Sequence, residues 1–171
     1  MLRLAKAFWD IALWRRTPAQ LPASPLLLGL VAAAAALLEA LSAYLPPETT
    51  DRIFTRIALS VGLPLAFAWA VLALARHRQR FVQTGSALLG VAVLAEIVLY
   101  PIDSLIHVVG SDRIAALPLG ILMLIGLIWY MLACANIWRC ALDSRLSLGV
   151  AISVAYLLLS IAIGQQLLPD T

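Results

Sequence analysis

Charge is scarce in this chain. Only 12% of its 171 residues are Asp, Glu, Lys or Arg, and Lys6 is the single lysine among 12 basic residues. Hydrophobic residues make up 63%, at a mean hydropathy of +0.98. A soluble domain of this size would have too little polar surface to cover such a composition, which excludes a water-soluble globule. Histidine is limited to His77 and His107, and cysteine to Cys134 and Cys140. The histidines are predicted on opposite sides of a membrane, so they cannot ligate one haem. A spacing of six puts the two thiols on opposite helix faces, without a Cys-x-x-Cys pair. No Ser-His-Asp or HExxH arrangement is present, nor a glycine loop able to cradle phosphate. No basic run is interleaved with aromatics as a nucleic-acid surface would be. The expectation is therefore a chain with no cofactor, no metal, no nucleic acid and no catalytic centre. A cleavable signal peptide is not expected either, because Arg3, Lys6, Asp10, Arg15 and Arg16 break the first 16 residues.

What the chain has in plenty is long apolar runs, at about 25–45, 57–75, 84–106, 117–138 and 147–168. About 20 helical residues cross a hydrocarbon core of ~30 Å. The runs predict an all-α membrane protein, one domain over 1–171, with five transmembrane helices preceded by an N-terminal amphipathic interfacial helix in 1–16. Arginine and lysine fall unevenly between the runs. Arg3, Lys6, Arg15, Arg16, Arg76, Arg78, Arg80, Arg139 and Arg145 lie on one side, against Arg52, Arg56 and Arg113 on the other. Cationic connections stay cytoplasmic. The bias predicts a membrane protein with its N-terminus in the cytoplasm and its C-terminus on the opposite side. Its basic loops would touch anionic lipid headgroups.

In the first 16 residues Leu4, Phe8 and Ile11, with Ala5, Trp9 and Ala12, form a broad apolar face opposite Arg3, Lys6 and Asp10. Phe8, Trp9, Trp14, Arg15 and Arg16 are the expected membrane-interface residues. Packing of this face on the bundle or on a partner is the alternative. Pro18, Pro22 and Pro25 make the next segment a stiff connector, with Ser24 placed to cap the first span. Pro46-Pro47-Glu48-Thr49-Thr50-Asp51 reads as an outer turn. Pro64 should kink the second span, Pro101 should interrupt the third, and Pro118 suits the start of the fourth. Trp138, beside Arg139, reads as part of an aromatic belt. Small residues (Gly29, alanines 32–36 and Ala40; Ala151, Ala155, Ser160 and Gly164) suggest close helix approaches.

Glu39 and Glu96 are the exceptions inside the apolar runs. They lie 13 and 12 residues past the cytoplasmic starts near Leu26 and Thr84. At about 1.5 Å per residue both sit roughly 18–20 Å deep, so contact between them is feasible and Arg56 could offset one charge. Glu96, Tyr100, Asp103 and His107 are spaced four, three and four apart and share one helix face. Ionisable groups at such depth by default suggest function. One reading is a proton or cation path, or a small metal site using the carboxylates and His107. The other is a glutamate hydrogen-bonded inside the bundle, with 101–109 leaving the membrane as an interfacial helix.

Several stretches look familiar: the basic-aromatic opening into Arg15-Arg16-Thr17-Pro18-Ala19-Gln20-Leu21-Pro22-Ala23-Ser24-Pro25; Asn136-Ile137-Trp138-Arg139-Cys140-Ala141-Leu142; Leu146-Ser147-Leu148-Gly149-Val150-Ala151; and Tyr156-Leu157-Leu158-Leu159-Ser160. Together they resemble a small proteobacterial inner-membrane family similar to the bacterial relatives of the Yip (Ypt-interacting protein) membrane family. The resemblance implies the five-span plan, the bacterial inner membrane and the cytoplasmic start, which puts the C-terminus in the periplasm. Eukaryotic Yip proteins are membrane adaptors in vesicle trafficking that bind small GTPases, and no catalytic residues come with the likeness. The functional expectation is a non-enzymatic accessory, scaffold or assembly subunit that makes lateral contacts with other membrane subunits or itself. A small transporter or proton-linked module using Glu39 and Glu96 is the alternative.

Overall fold

A computed structural model describes residues 2–42, 50–110 and 113–167. Among them the chain is helical, with no strand. A short helix α1 (Leu2–Ala12) is followed by α2 (Pro25–Ser42), then α3 (Thr50–Ile57) and α4 (Leu63–Leu74), which a π-helical segment (Ala58–Gly62) joins into one rod. The rest is α5 (Phe81–Val109), α6 (Arg113–Ala141) and α7 (Leu146–Leu167). Among the described residues five helical rods are long and apolar enough to cross a membrane, and α1 is the short N-terminal helix that precedes them. The chain is thus an all-helical, multi-pass membrane protein. The proposed outer turn lies, as far as Thr49, outside the described residues.

The prolines behave differently from expectation. Pro101 does not end the third span, because α5 runs through it to Val109 as one helix. The missing N–H affects one bond of the ladder, and the apolar turns on either side maintain the rod. Helix α6 likewise begins at Arg113, before Pro118. At Pro64 the chain inserts one wide turn, Ala58–Gly62, immediately ahead of the proline. Such single π-turns absorb an extra residue without breaking the rod.

Helix α5 is the centre of the bundle. Helices α2, α4 and α6 pack on it, and α7 packs on α6. The core is confined to the half of the molecule nearest the N-terminus. Buried positions are Leu27, Val31 and Ala35 on α2; Ala68 and Leu72 on α4; Thr84 to Val91 and Ala95 on α5; Ala133 to Trp138 and Ala141 on α6; and Gly149 and Ser153 on α7. Toward the other end Ile97, Val98, Leu105, Leu117, Ile121, Ile125, Leu158 and Ile161 are exposed. In lipid such faces need no protein cover.

Close approaches occur at glycines other than those expected. A Cβ at Gly29 or Gly164 would meet nothing, and Ala151 and Ala155 are exposed. A Cβ at Gly149 would run into the carbonyl oxygen of Ala135, one at Gly90 into the Phe8 ring, and one at Gly126 into Leu99. The notch at Gly90 explains α1. Phe8 is not a lipid-facing anchor, because its ring fills that notch and is buried with Ala7, Ile11 and Ala12 against α5 and α6. Trp9 and Trp14 stay exposed, as do Arg15 and Arg16, and the Trp9 ring lies 6.1 Å from that of Trp129. Trp138 is not in a belt either. It is 2% exposed and stands edge-on to Phe67 at 5.9 Å.

Candidate functional site

The intramembrane charges converge in the open half of the bundle. Helix α3 starts with Asp51 in its first turn and Arg56 in its last, the arrangement its dipole favours. It brings Arg56 against α2, where Arg56 Nε donates to Glu39 Oε1 at 2.7 Å. The side chains of Arg56 and Glu39 are 31% and 15% exposed, so the pair is shielded within the protein. Ser42, one turn on, donates its hydroxyl to the Glu39 carbonyl at 2.9 Å and secures the end of α2. Glu96, on α5, is half-buried and within electrostatic reach of both Glu39 and Arg56. A charge-assisted bond of this length in a water-poor region is among the stronger polar contacts available to a protein.

Beside the cluster a groove of about 540 Å³ opens between α2 and α5. Glu96 and Tyr100 line it, with Ser42 on the opposite wall and Ile97 and Pro101 completing its apolar surface. Of the residues singled out in the sequence, Glu39, Glu96 and Tyr100 therefore share one region. Asp103 and His107 lie apart from it, toward the end of α5. There His107 Nδ1 donates to the Asp103 carbonyl at 2.9 Å and stands 3.7 Å from its carboxylate, both side chains well exposed. Among the described residues no three His, Cys, Asp or Glu side chains converge as metal ligands.

A second polar cluster, which sequence reading missed, ties the other end together. Arg80 Nη1 donates to the carbonyls of Cys140 at 3.2 Å and Ala141 at 3.0 Å, while Nη2 lies 2.7 Å from Asp143 Oδ2. One guanidinium thus caps the C-terminus of α6, where carbonyls lack helical donors and a cation is favoured. The bond from Arg80 holds the Asp143 carboxyl below the usual carboxylate range. Gln83 donates to the Leu21 carbonyl at 3.0 Å and anchors the proline-rich connector to α5. Three helices at this end stop in the same way, with Trp14, Arg76 and Asp143 at φ of 63°, 60° and 46°. The N–H groups of Arg15, His77 and Ser144 then reach back five residues to close the last turn. In the sequence Arg80 is one more basic loop residue, and nothing local marks the carbonyls 60 positions away. Comparison with known proteins adds no relative: no protein-family model, curated protein or solved structure matches the chain.

Proposed function

We propose that this chain is a non-enzymatic protein of the bacterial inner membrane, acting as an accessory, scaffold or assembly subunit through lateral helix contacts. One observation carries the reading. The groove holding Glu96 and Tyr100 lies between α2 and α5, in the half of the bundle where no described residue beyond Ala35 and Ala95 is buried. Acyl chains cover exposed Ile97 and Leu105 as well as protein does, but they offer nothing to a carboxyl or a phenol. A helix from another membrane subunit, or from a second copy, supplies both apolar cover and a polar partner. The nine-to-three bias of basic residues supports a cytoplasmic N-terminus.

The test is purification in a mild detergent. Wild-type protein should elute as a stoichiometric complex or oligomer. Glu96→Leu should elute as a folded monomer, and Glu96→Gln should retain partial association. A wild-type monomer, or a Leu variant that associates normally, would overturn the reading. The paired carboxylates beside Arg56 favour a second reading, a proton- or ion-linked module. In that case Glu96→Gln would abolish proton flux in reconstituted vesicles without altering assembly.

A further inference from the structure

We infer that the packed half of the bundle holds a bound water cluster at the wide turn of the second span. Between α4, α5, α6 and α7 lies a cavity of about 50 Å³, with Ser60, Phe67, Tyr130, Cys134, Ser153 and Tyr156 on its wall. This is separate from the Glu39–Arg56 cluster and independent of the assembly role proposed above. Ser153 marks it. That residue is 2% exposed, yet its hydroxyl has no hydrogen-bond partner among the described residues. Four other serines in the spans satisfy themselves on their own helix. Ser42, Ser60, Ser86 and Ser160 donate to the carbonyls of Glu39, Ile57, Val82 and Leu157. Ser153 does not bond back; it lines a mostly apolar cavity that also carries Tyr130, Cys134 and Tyr156.

Leaving a buried hydroxyl unmet is costly, and a buried water needs two to four polar partners in a cavity of at least roughly 10–15 Å³. The space exceeds that minimum, and the Tyr130 and Tyr156 residues supply the further hydroxyls. Cavities with a wholly apolar lining stay dry, whereas this wall carries serine, tyrosine and cysteine side chains among its apolar groups. The wall also includes Pro64, which gives no N–H to the turn before it, and Ser60 within that turn. Water placed there serves both the widened backbone of the second span and the Ser153 hydroxyl on the fifth.

X-ray radiolytic labelling of the full chain in lipid nanodiscs tests this, because hydroxyl radicals form where water is held. After correction for intrinsic reactivity, Cys134 and Trp138 should label severalfold faster than Phe8, which is comparably buried but away from the cavity. In H₂¹⁸O the added oxygen should be the heavy isotope. Ser153→Ala should slow labelling of Cys134 and Trp138 severalfold and leave Phe8 unchanged. Wild-type rates at Cys134 and Trp138 no higher than at Phe8 would overturn the inference, as would rates indifferent to Ser153→Ala. Should that variant fail to fold, the wild-type comparison decides alone.

Discussion

Replacing Gly149 with alanine sets two opposing effects against each other, and the structure says which wins. In a helix interior alanine is favoured over glycine by about 1 kcal/mol in water. That gain shrinks in a membrane, where the separated helices are already formed before they pack. Against it stands the new methyl. It would collide with the Ala135 carbonyl oxygen, and the Arg139 amide nitrogen lies 3.2 Å from the same point. Both are backbone atoms of α6, so no side-chain rotation relieves the overlap and α6 must draw away from α7. Overpacking of this kind costs about 1–3 kcal/mol. The expected result is net destabilisation of about 1–2 kcal/mol. The control is Gly164→Ala on the same helix, where the added methyl meets nothing. It should change stability by less than about 1 kcal/mol, in the favourable direction. Denaturant titration of tryptophan fluorescence in mixed micelles measures both. A Gly149→Ala variant as stable as wild type would refute the close approach of α6 and α7.

Gly90→Leu should eject Phe8 from its notch and expose α1, raising protease cleavage near residue 12, whereas Gly29→Leu should leave the digest unchanged. Arg80→Met should lower stability, chiefly through loss of the α6 cap and less through the exposed Asp143 bond, read in the same titration. Because the Asp143 carboxyl is held low, its contribution is complete above about pH 4 and fades as pH falls through its folded value. An Arg80→Met variant should be blind to that acid limb. Finally, a C-terminal alkaline phosphatase fusion should be active and a C-terminal green fluorescent protein fusion dark. The opposite pattern would reverse the orientation proposed from the basic residues.

Hydropathy made the five rods legible because each apolar run is close to one membrane crossing in length. Depth counting set Glu39 and Glu96 at similar heights for a similar reason: rise per residue is fixed, so equal counts from one side give equal heights. Facing was not legible. Phe8 and Trp138 are as suited to lipid as to a protein interior, and only the Gly90 notch and the Phe67 ring, distant in sequence, decide the matter. Pro101 misled because a proline costs one hydrogen bond, which a long apolar helix bears. Ser153 gave no signal, since a serine that bonds its own helix and one that does not are the same letter.

The lopsided burial also bears on the lipids. Helices held tightly at one end and parted by a groove at the other occupy unequal area in the two leaflets. The leaflet on the open side must supply acyl chains to the exposed faces of α5, α6 and α7. Anything that changes how that leaflet fills space, such as tail unsaturation or headgroup size, then acts on the width of the groove. The molecule would sit most easily where the membrane curves to match its taper.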